Sequence, residues 1–258
     1  MRRAVFITVR LDSARLPEKA FKKIQGKYVL EHIIQRAKLA KKFDGIVVCT
    51  SDRKTDDPIE KLAYDKGVCC FRGSLNDKLE RWRGAAEKFG CEFFVTFDGD
   101  DLFCEPELLD SASKTMDTSE VDFLEAPDGL VCGAFTYAIR TAALNRVCAI
   151  KNDTDTEMIW RYFKETGLFK TSCLPCEKNS EYFNSNIRLT LDYEEDFDFF
   201  TKVFESLNCE NNDIQLKTII EFLNRNPEVV AINSFRQAEF LENQRKKAKL
   251  VLKEEDMI

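Results

Sequence analysis

From its start the chain alternates short apolar runs with segments of helical periodicity, and few folds accommodate that order. "AVFITV" (4–9) reads as a buried strand, and "YVLEHIIQRAKLAKK" (28–42) as a helix with Val29, Ile33, Ile34, Ala37 and Ala40 on one face. "GIVVCT" (45–50) is a second strand. "DDPIEKLAYDKG" (56–67) follows as a helix with Asp57 as N-cap, Pro58 at its first position and Gly67 at its end. The pattern repeats with "VCCF" (68–71), "NDKLERWRGAAEKFG" (76–90), "EFFVTF" (92–97), the loop "DGDDLFCE" (98–105) and the helix "PELLDSASKTM" (106–116). Such alternation predicts a mainly parallel sheet covered on both faces. In sheets of this kind, ligands bind beyond the carboxyl ends of the strands.

The second half is less regular. "VDFLEA" and "GAFTYAIR" read as strands around an "APDGL" loop, and "DTEMIWRYFKETG" as a helix. "SNIRLTLD" reads as a further strand ending in Asp192, before the helix "YEEDFDFFTKVFESL". The tail from Ser234 is polar and helical, and its "RKKAK" patch is expected to be a solvated face. With no repeat, low-complexity tract or clear linker, residues 1–258 are expected to form one domain, with 208–258 as a helical C-terminal extension.

Composition narrows the function classes. No stretch approaches the length of a membrane span, and the first residues lack the apolar core and cleavage site of a secretory signal. A cytoplasmic, membrane-free protein is expected. Most of the ten cysteines sit inside apolar runs and read as reduced core thiols; "CLPC" is a lone pair with no His nearby. A net charge of −6 argues against a nucleic-acid surface. A cation cluster in so acidic a chain reads instead as a local anion site.

That cluster is "VRLDSARLPEK", where Arg10, Arg15 and Lys19 surround Ser13. Amides at a strand end, reinforced by Arg and Lys, suit a triphosphate. A solvated loop whose cations pair with Asp12 and Glu18 explains the same charges. "FDGDD" offers the hard oxygen ligands that Mg²⁺ prefers, or a turn in which Asp98 and Asp101 cap the helix beginning near Pro106. Asp192 is a second carboxylate for a cation site, or an N-cap. In "FRGSLND", Arg72, Ser74 and Asp77 suit a base edge or ribose, or form an ordinary turn with Ser74 or Asn76 as helix cap.

These stretches together resemble the cytidylyltransferases that activate sugars as CMP conjugates, whose fingerprint is roughly A-R-x-x-S-x-R-L-P-x-K. The branch they resemble most is the spore-coat polysaccharide (SpsF-like) one, through "LEHIIQRAK", "IVVCTSD", "DDPIEKLA", "VFRGS..D.LER", "GD....PELLD", "PDGL" and "RLTLDYEED" across residues 4–207. The resemblance implies a Rossmann-like nucleotide-diphospho-sugar transferase (GT-A-like) fold, a three-layer αβα sandwich about a mainly parallel mixed sheet. It implies that Arg10, Ser13, Arg15 and Lys19 hold the triphosphate, with Asp12 in the same loop counted to the nucleotide site. Arg72 and Ser74 would lie near the base, with Asp77 beside them, and Asp100 and Asp192 would bind Mg²⁺. "PDGL" and "DTEMIW", through Asp128, Gly129 and Glu157, would line the acceptor pocket. The expected reaction is transfer of CMP from CTP to an acidic sugar or a phosphorylated or phosphonate acceptor, with pyrophosphate leaving and Arg10, Arg15, Lys19 and Asp100 as the catalytic set. Relatives are often dimers.

Four positions depart from the family: Val9 for Ala, Glu18 for Gly, Asp101-Leu102 after the metal Asp, and Met158 where His is common. Val9 and Glu18 keep open a non-catalytic nucleotide-binding relative, and "DGDD" read as a metal motif keeps open a GT-A glycosyltransferase using a nucleotide-sugar. The single histidine, His32, lies in an apolar helix pattern and reads as packing or capping rather than as a general base.

Overall fold

The computed structural model describes residues 1–177 and 180–254. Its strands and helices follow the expected alternation: β1 (Arg3–Thr8), the short hairpin β2 (Lys23–Ile24) and β3 (Lys27–Tyr28), α1 (Val29–Ala37), β4 (Gly45–Ser51), α2 (Asp57–Asp65), β5 (Cys69–Gly73), α3 (Lys78–Phe89), β6 (Phe93–Asp98) and α4 (Pro106–Thr118). Then come β7 (Phe123–Glu125), β8 (Tyr137–Arg140), α5 (Thr141–Ile150), α6 (Trp160–Lys164) and β9 (Thr171–Cys173). The chain finishes with α7 (Glu194–Leu207), α8 (Leu216–Arg225), α9 (Pro227–Val230) and α10 (Gln237–Lys247).

Seven strands form one sheet in the order β5-β4-β1-β6-β8-β7-β9. Among them only β8 runs against the rest, pairing antiparallel with β6 and β7. Successive side chains of β1 point to opposite faces, as strand geometry requires. Val5 and Ile7 join a core with α1, α2, α4, α7 and α8, whereas Ala4 and Phe6 join a second core with α3, α5 and α6. These are the two helical layers of an αβα sandwich. No described helix is long and apolar enough to cross a membrane.

Several departures from the sequence reading trace to specific hydrogen bonds. The first helix stops at Ala37 because Asp110 accepts the amides of Lys41 and Lys42 and draws the chain away from the helix axis. The N-cap position of α2 is Asp56, with Asp57 already inside the helix. Only Trp160–Lys164 of "DTEMIWRYFKETG" is helical, since the Thr156 backbone and hydroxyl bind Asn76 and Asp77 at the start of α3. "SNIRLTLD" forms no strand: Leu189 donates to Cys132 and Leu191 to Asp100, single bonds to two different loops. The ten cysteines are all unpaired. His32 is buried, with Nε2 2.9 Å from the Ile24 carbonyl and its ring packed edge-on against Phe204.

Candidate active site

A cleft of about 510 Å³ opens beyond the carboxyl ends of β1 and β6, a size typical of small-molecule sites. The loop leaving β1 forms one side. It is fixed from beneath by buried Asp56, which accepts the Leu11 amide at 3.0 Å and the Thr50 hydroxyl at 3.1 Å and also binds Ser51. Buried Leu16 anchors the middle of the loop. Glu18 adopts a left-handed φ of 52°, which turns the chain into the short 3₁₀ turn carrying Lys19. A glycine takes this conformation without steric cost, which accounts physically for the family preference at this position. The Glu18 side chain is exposed and does not line the cleft, so its negative charge falls outside the site.

Arg10, Asp12, Ser13, Arg15 and Lys19 all line the cleft. Arg10 donates to the Leu75 carbonyl at 2.7 Å and pairs with Asp12 at 3.3 Å. Arg15 donates to Asp192 Oδ1 at 2.6 Å. Lys19 Nζ donates to Asp100 Oδ2 and to the Leu191 carbonyl, both at 2.7 Å, and lies 3.4 Å from Asp192 Oδ1. Burial alone would lower the Lys19 ammonium, but Asp100 and Asp192 outweigh it and hold the pKa above the ordinary lysine range.

The acidic loop follows β6. Gly99 lets it turn directly against β1: its amide donates to the Thr8 carbonyl at 2.9 Å, and a Cβ at Gly99 would lie 2.5 Å from that oxygen. Asp98 accepts the Thr136 hydroxyl at 3.0 Å. Neither Asp98 nor Asp101 caps α4, because Glu105 does so by accepting the Glu107 amide. Burial and the neighbouring Asp192 and Asp98 raise the Asp100 carboxyl, with Lys19 opposing. Asp101 is buried and pushed well above the carboxylate range, first by burial and then by Asp100 and Asp98. Asp192 shifts the other way. Burial would raise it, but Lys19, Arg15 and Arg188 hold it below the usual range. Arg188, fully buried, donates to Asp192 Oδ2 and Asp196 Oδ1, each at 2.9 Å, and fixes the orientation of Asp192.

The base-edge residues are not placed at the cleft. Arg72 on edge strand β5 donates to Glu60 at 2.9 Å and to the Ser51 and Arg53 carbonyls, and it pairs with Asp57. Ser74 accepts the Asp77 amide. Asp77 is buried as the N-cap of α3, bonded to Lys151 and Thr156. This segment reaches the cleft through Leu75 and Asn76 instead. In "PDGL", Asp128 and Gly129 are exposed and do not line the cleft, whereas Leu130 does. Glu157 lines it and pairs with Lys247 at 2.8 Å. The sequence reading missed Lys78, Arg81 and the residues of α10 that line the same cleft. A half-polar, amide-rich helix near a chain end carries no local signal of a binding role.

Among the described residues, no group of three or more His, Cys, Asp or Glu side chains forms a metal cluster. Asp100 and Asp192 nevertheless converge on one cation, the Lys19 ammonium. A carboxylate pair suits Mg²⁺, which keeps waters and takes further ligands from substrate phosphates. The donor set therefore fits that ion.

A model of cytidylyltransferases matches residues 4–250. The chain belongs to the cytidylyltransferase family. It is accordingly a nucleotidyltransferase, and the family match extends past residue 207 to take in α8, α9 and α10. The spore coat polysaccharide biosynthesis protein SpsF of Bacillus subtilis is 27% identical over 86% of this chain and 94% of that protein. A solved cytidylyltransferase from Leptospira borgpetersenii superposes with a TM-score of 0.78 at 24% identity, covering 89% of this chain and 97% of the other. A CMP:2-keto-3-deoxy-manno-octonic acid synthetase complexed with CTP gives 0.61 at 13% identity, covering 80% and 100%. Both structures share the Rossmann-like fold.

Proposed function

We propose that this cytidylyltransferase moves CMP from CTP to an acidic sugar or a phosphorylated or phosphonate acceptor, releasing pyrophosphate, in surface polysaccharide or glycan synthesis. The observation that carries this reading is the convergence of Arg15, Lys19, Asp100 and Asp192 at the ends of β1 and β6. The SpsF relative and the CTP-complexed synthetase support its substrate and setting.

In the proposed reaction an acceptor oxygen attacks the α-phosphorus, and the bond to the bridging oxygen breaks, leaving its electron pair on pyrophosphate. Phosphoryl chemistry of this kind depends on positioning and charge neutralisation. Arg10, Arg15 and Lys19 hold the distal phosphates. All the Lys19 N–H groups are directed at protein oxygens, so its engagement with phosphate exchanges a carboxylate partner and exposes Asp100 and Asp192 together. These two carboxylates would hold Mg²⁺, which when bound supplies charge neutralisation on the phosphate oxygens. A phosphate or phosphonate acceptor arrives already anionic; a sugar hydroxyl must first lose its proton. Pyrophosphate release from CTP and Mg²⁺ across an acceptor panel tests the reading. Asp100→Asn should abolish turnover with the fold intact. Wild-type turnover in that variant would remove Asp100 from the site.

A further inference from the structure

Two features of the cleft are left unused by the residues assigned above to the triphosphate and the metal. The first is Lys78, which lines the cleft from the first position of α3. A cation there opposes the positive end of the helix dipole. The side chain is half-buried over the Trp82 ring, with Nζ 5.0 Å from the centroid, and no carboxylate reaches ion-pair distance among the described residues. Asp98 and Glu157 act on it only through space, and burial holds its ammonium below the ordinary lysine range. The family pattern "VFRGS..D.LER" leaves this position open, so a nucleotide role is not implied for it. A desolvated, unpaired ammonium aimed into a cleft is unfavourable until an anion completes it.

The second feature is the cleft-facing side of α10. Gln237 accepts from Arg188 and its NH₂ group also donates to the Cys132 sulfur, which leaves one N–H for a ligand. Asn243 donates to Tyr193, which leaves its carbonyl available. Gln244 also lines the cleft, and no side-chain partner is present for it among the described residues. Amides offering both donors and acceptors match the hydroxyls of a sugar. The helix is held in place by Phe240 packed on Arg188 at 4.3 Å and by the Lys247–Glu157 pair. The tail beyond it is tied down where Asn152 donates to Val251 and Lys253 to Ile150.

We propose that Lys78 and this side of α10 form the acceptor subsite. It takes a polyhydroxylated sugar bearing a carboxylate or a phosphate, with the anion on Lys78 and the hydroxyls on Gln237, Asn243 and Gln244. The inference rests on the CMP-transfer reading and assigns the residues that choose its acceptor.

The test is calorimetry in the presence of CMP and Mg²⁺, with a hexose 1-phosphate, a 2-keto sugar acid and an uncharged hexose as probes. Wild type should bind one of the charged probes about tenfold or more tighter than the hexose, the scale of one charge-assisted contact; which one it prefers separates phosphate from carboxylate. Lys78→Met should abolish that preference and Lys78→Arg retain it. Gln244→Ala should weaken the same probe, and all three variants should bind CTP within about threefold of wild type, well inside the tenfold of one such contact. Melting curves confirm that each variant is folded. Equal binding of charged and uncharged probes, no probe binding by a protein that binds CTP, or an unchanged Lys78→Met would overturn the subsite. So would a loss of CTP affinity in Lys78→Met as large as the loss for the charged probe. If wild type fails to bind CTP, the transfer reading itself falls, and the subsite with it.

Discussion

Lys19 and Glu18 are neighbours with opposite places in the site. Lys19 sits between two carboxylates deep in the cleft, while Glu18 supplies the backbone turn that puts it there and faces solvent. If the loop holds distal phosphates, Lys19→Ala should weaken CTP about tenfold or more and CMP much less, read by calorimetry. Equal losses would show that the loop does not distinguish triphosphate from monophosphate. Glu18→Gly relieves about 1 kcal/mol of left-handed strain, partly offset by added backbone entropy. The expected result is a melting point raised by about 1–2 °C; a fall would mean that the Glu18 side chain contributes more than its backbone strain costs. Residue-level legibility was uneven. The cations were visible because three of them interrupt an acidic chain. Arg72 and Asp77 lie off the cleft, held by partners distant in sequence, Glu60 for Arg72 and Lys151 for Asp77; a base-binding pattern and a strand-to-helix turn use the same residue types, so the sequence does not distinguish them.

Elements orient these residues. Asp56 links the loop after β1 to the end of β4, so Asp56→Ala leaves the Leu11 amide and two hydroxyls without their acceptor. It should cost about 2 kcal/mol and weaken CTP binding through loop disorder. Unchanged affinity in a destabilised variant would separate the loop from the site. In α1, Glu31 accepts the Tyr28 amide at 2.7 Å and pairs with Lys66. Burial would raise its carboxyl, but Lys66 and the Tyr28 amide hold it below the ordinary range. A depressed carboxyl stabilises above its unfolded pKa, and that contribution is lost as pH falls through the folded value. Glu31→Gln should therefore flatten the decline in stability below about pH 4.5, followed by urea unfolding across that range. Strands β1, β4, β5 and β6 were legible because apolar runs bounded by polar turns identify buried parallel strands. The stretch 185–192 looked the same, yet its backbone bonds go to separate loops, a tertiary choice that periodicity does not encode.

At the scale of the molecule, a mainly parallel sheet places the loops after β1 and β6 at one end of its strands, and the C-terminal segment closes the cleft from outside the sheet. That closure was not legible, since α10 and its "RKKAK" end read as a solvated tail. Only the fold brings Phe240 onto Arg188 and Lys247 onto Glu157. Phe240→Ala should release α10, costing about 2 kcal/mol locally. Hydrogen exchange should then quicken across 237–247 while the sheet stays protected. Uniform quickening would instead tie α10 to the global core. The central claim is that this cleft holds a cytidine triphosphate through the loop after β1. Titration of the wild-type protein with CTP and CMP in Mg²⁺ tests it most directly. The account predicts that CTP binds about tenfold or more tighter than CMP; no CTP binding, or equal affinity for the two, would contradict it.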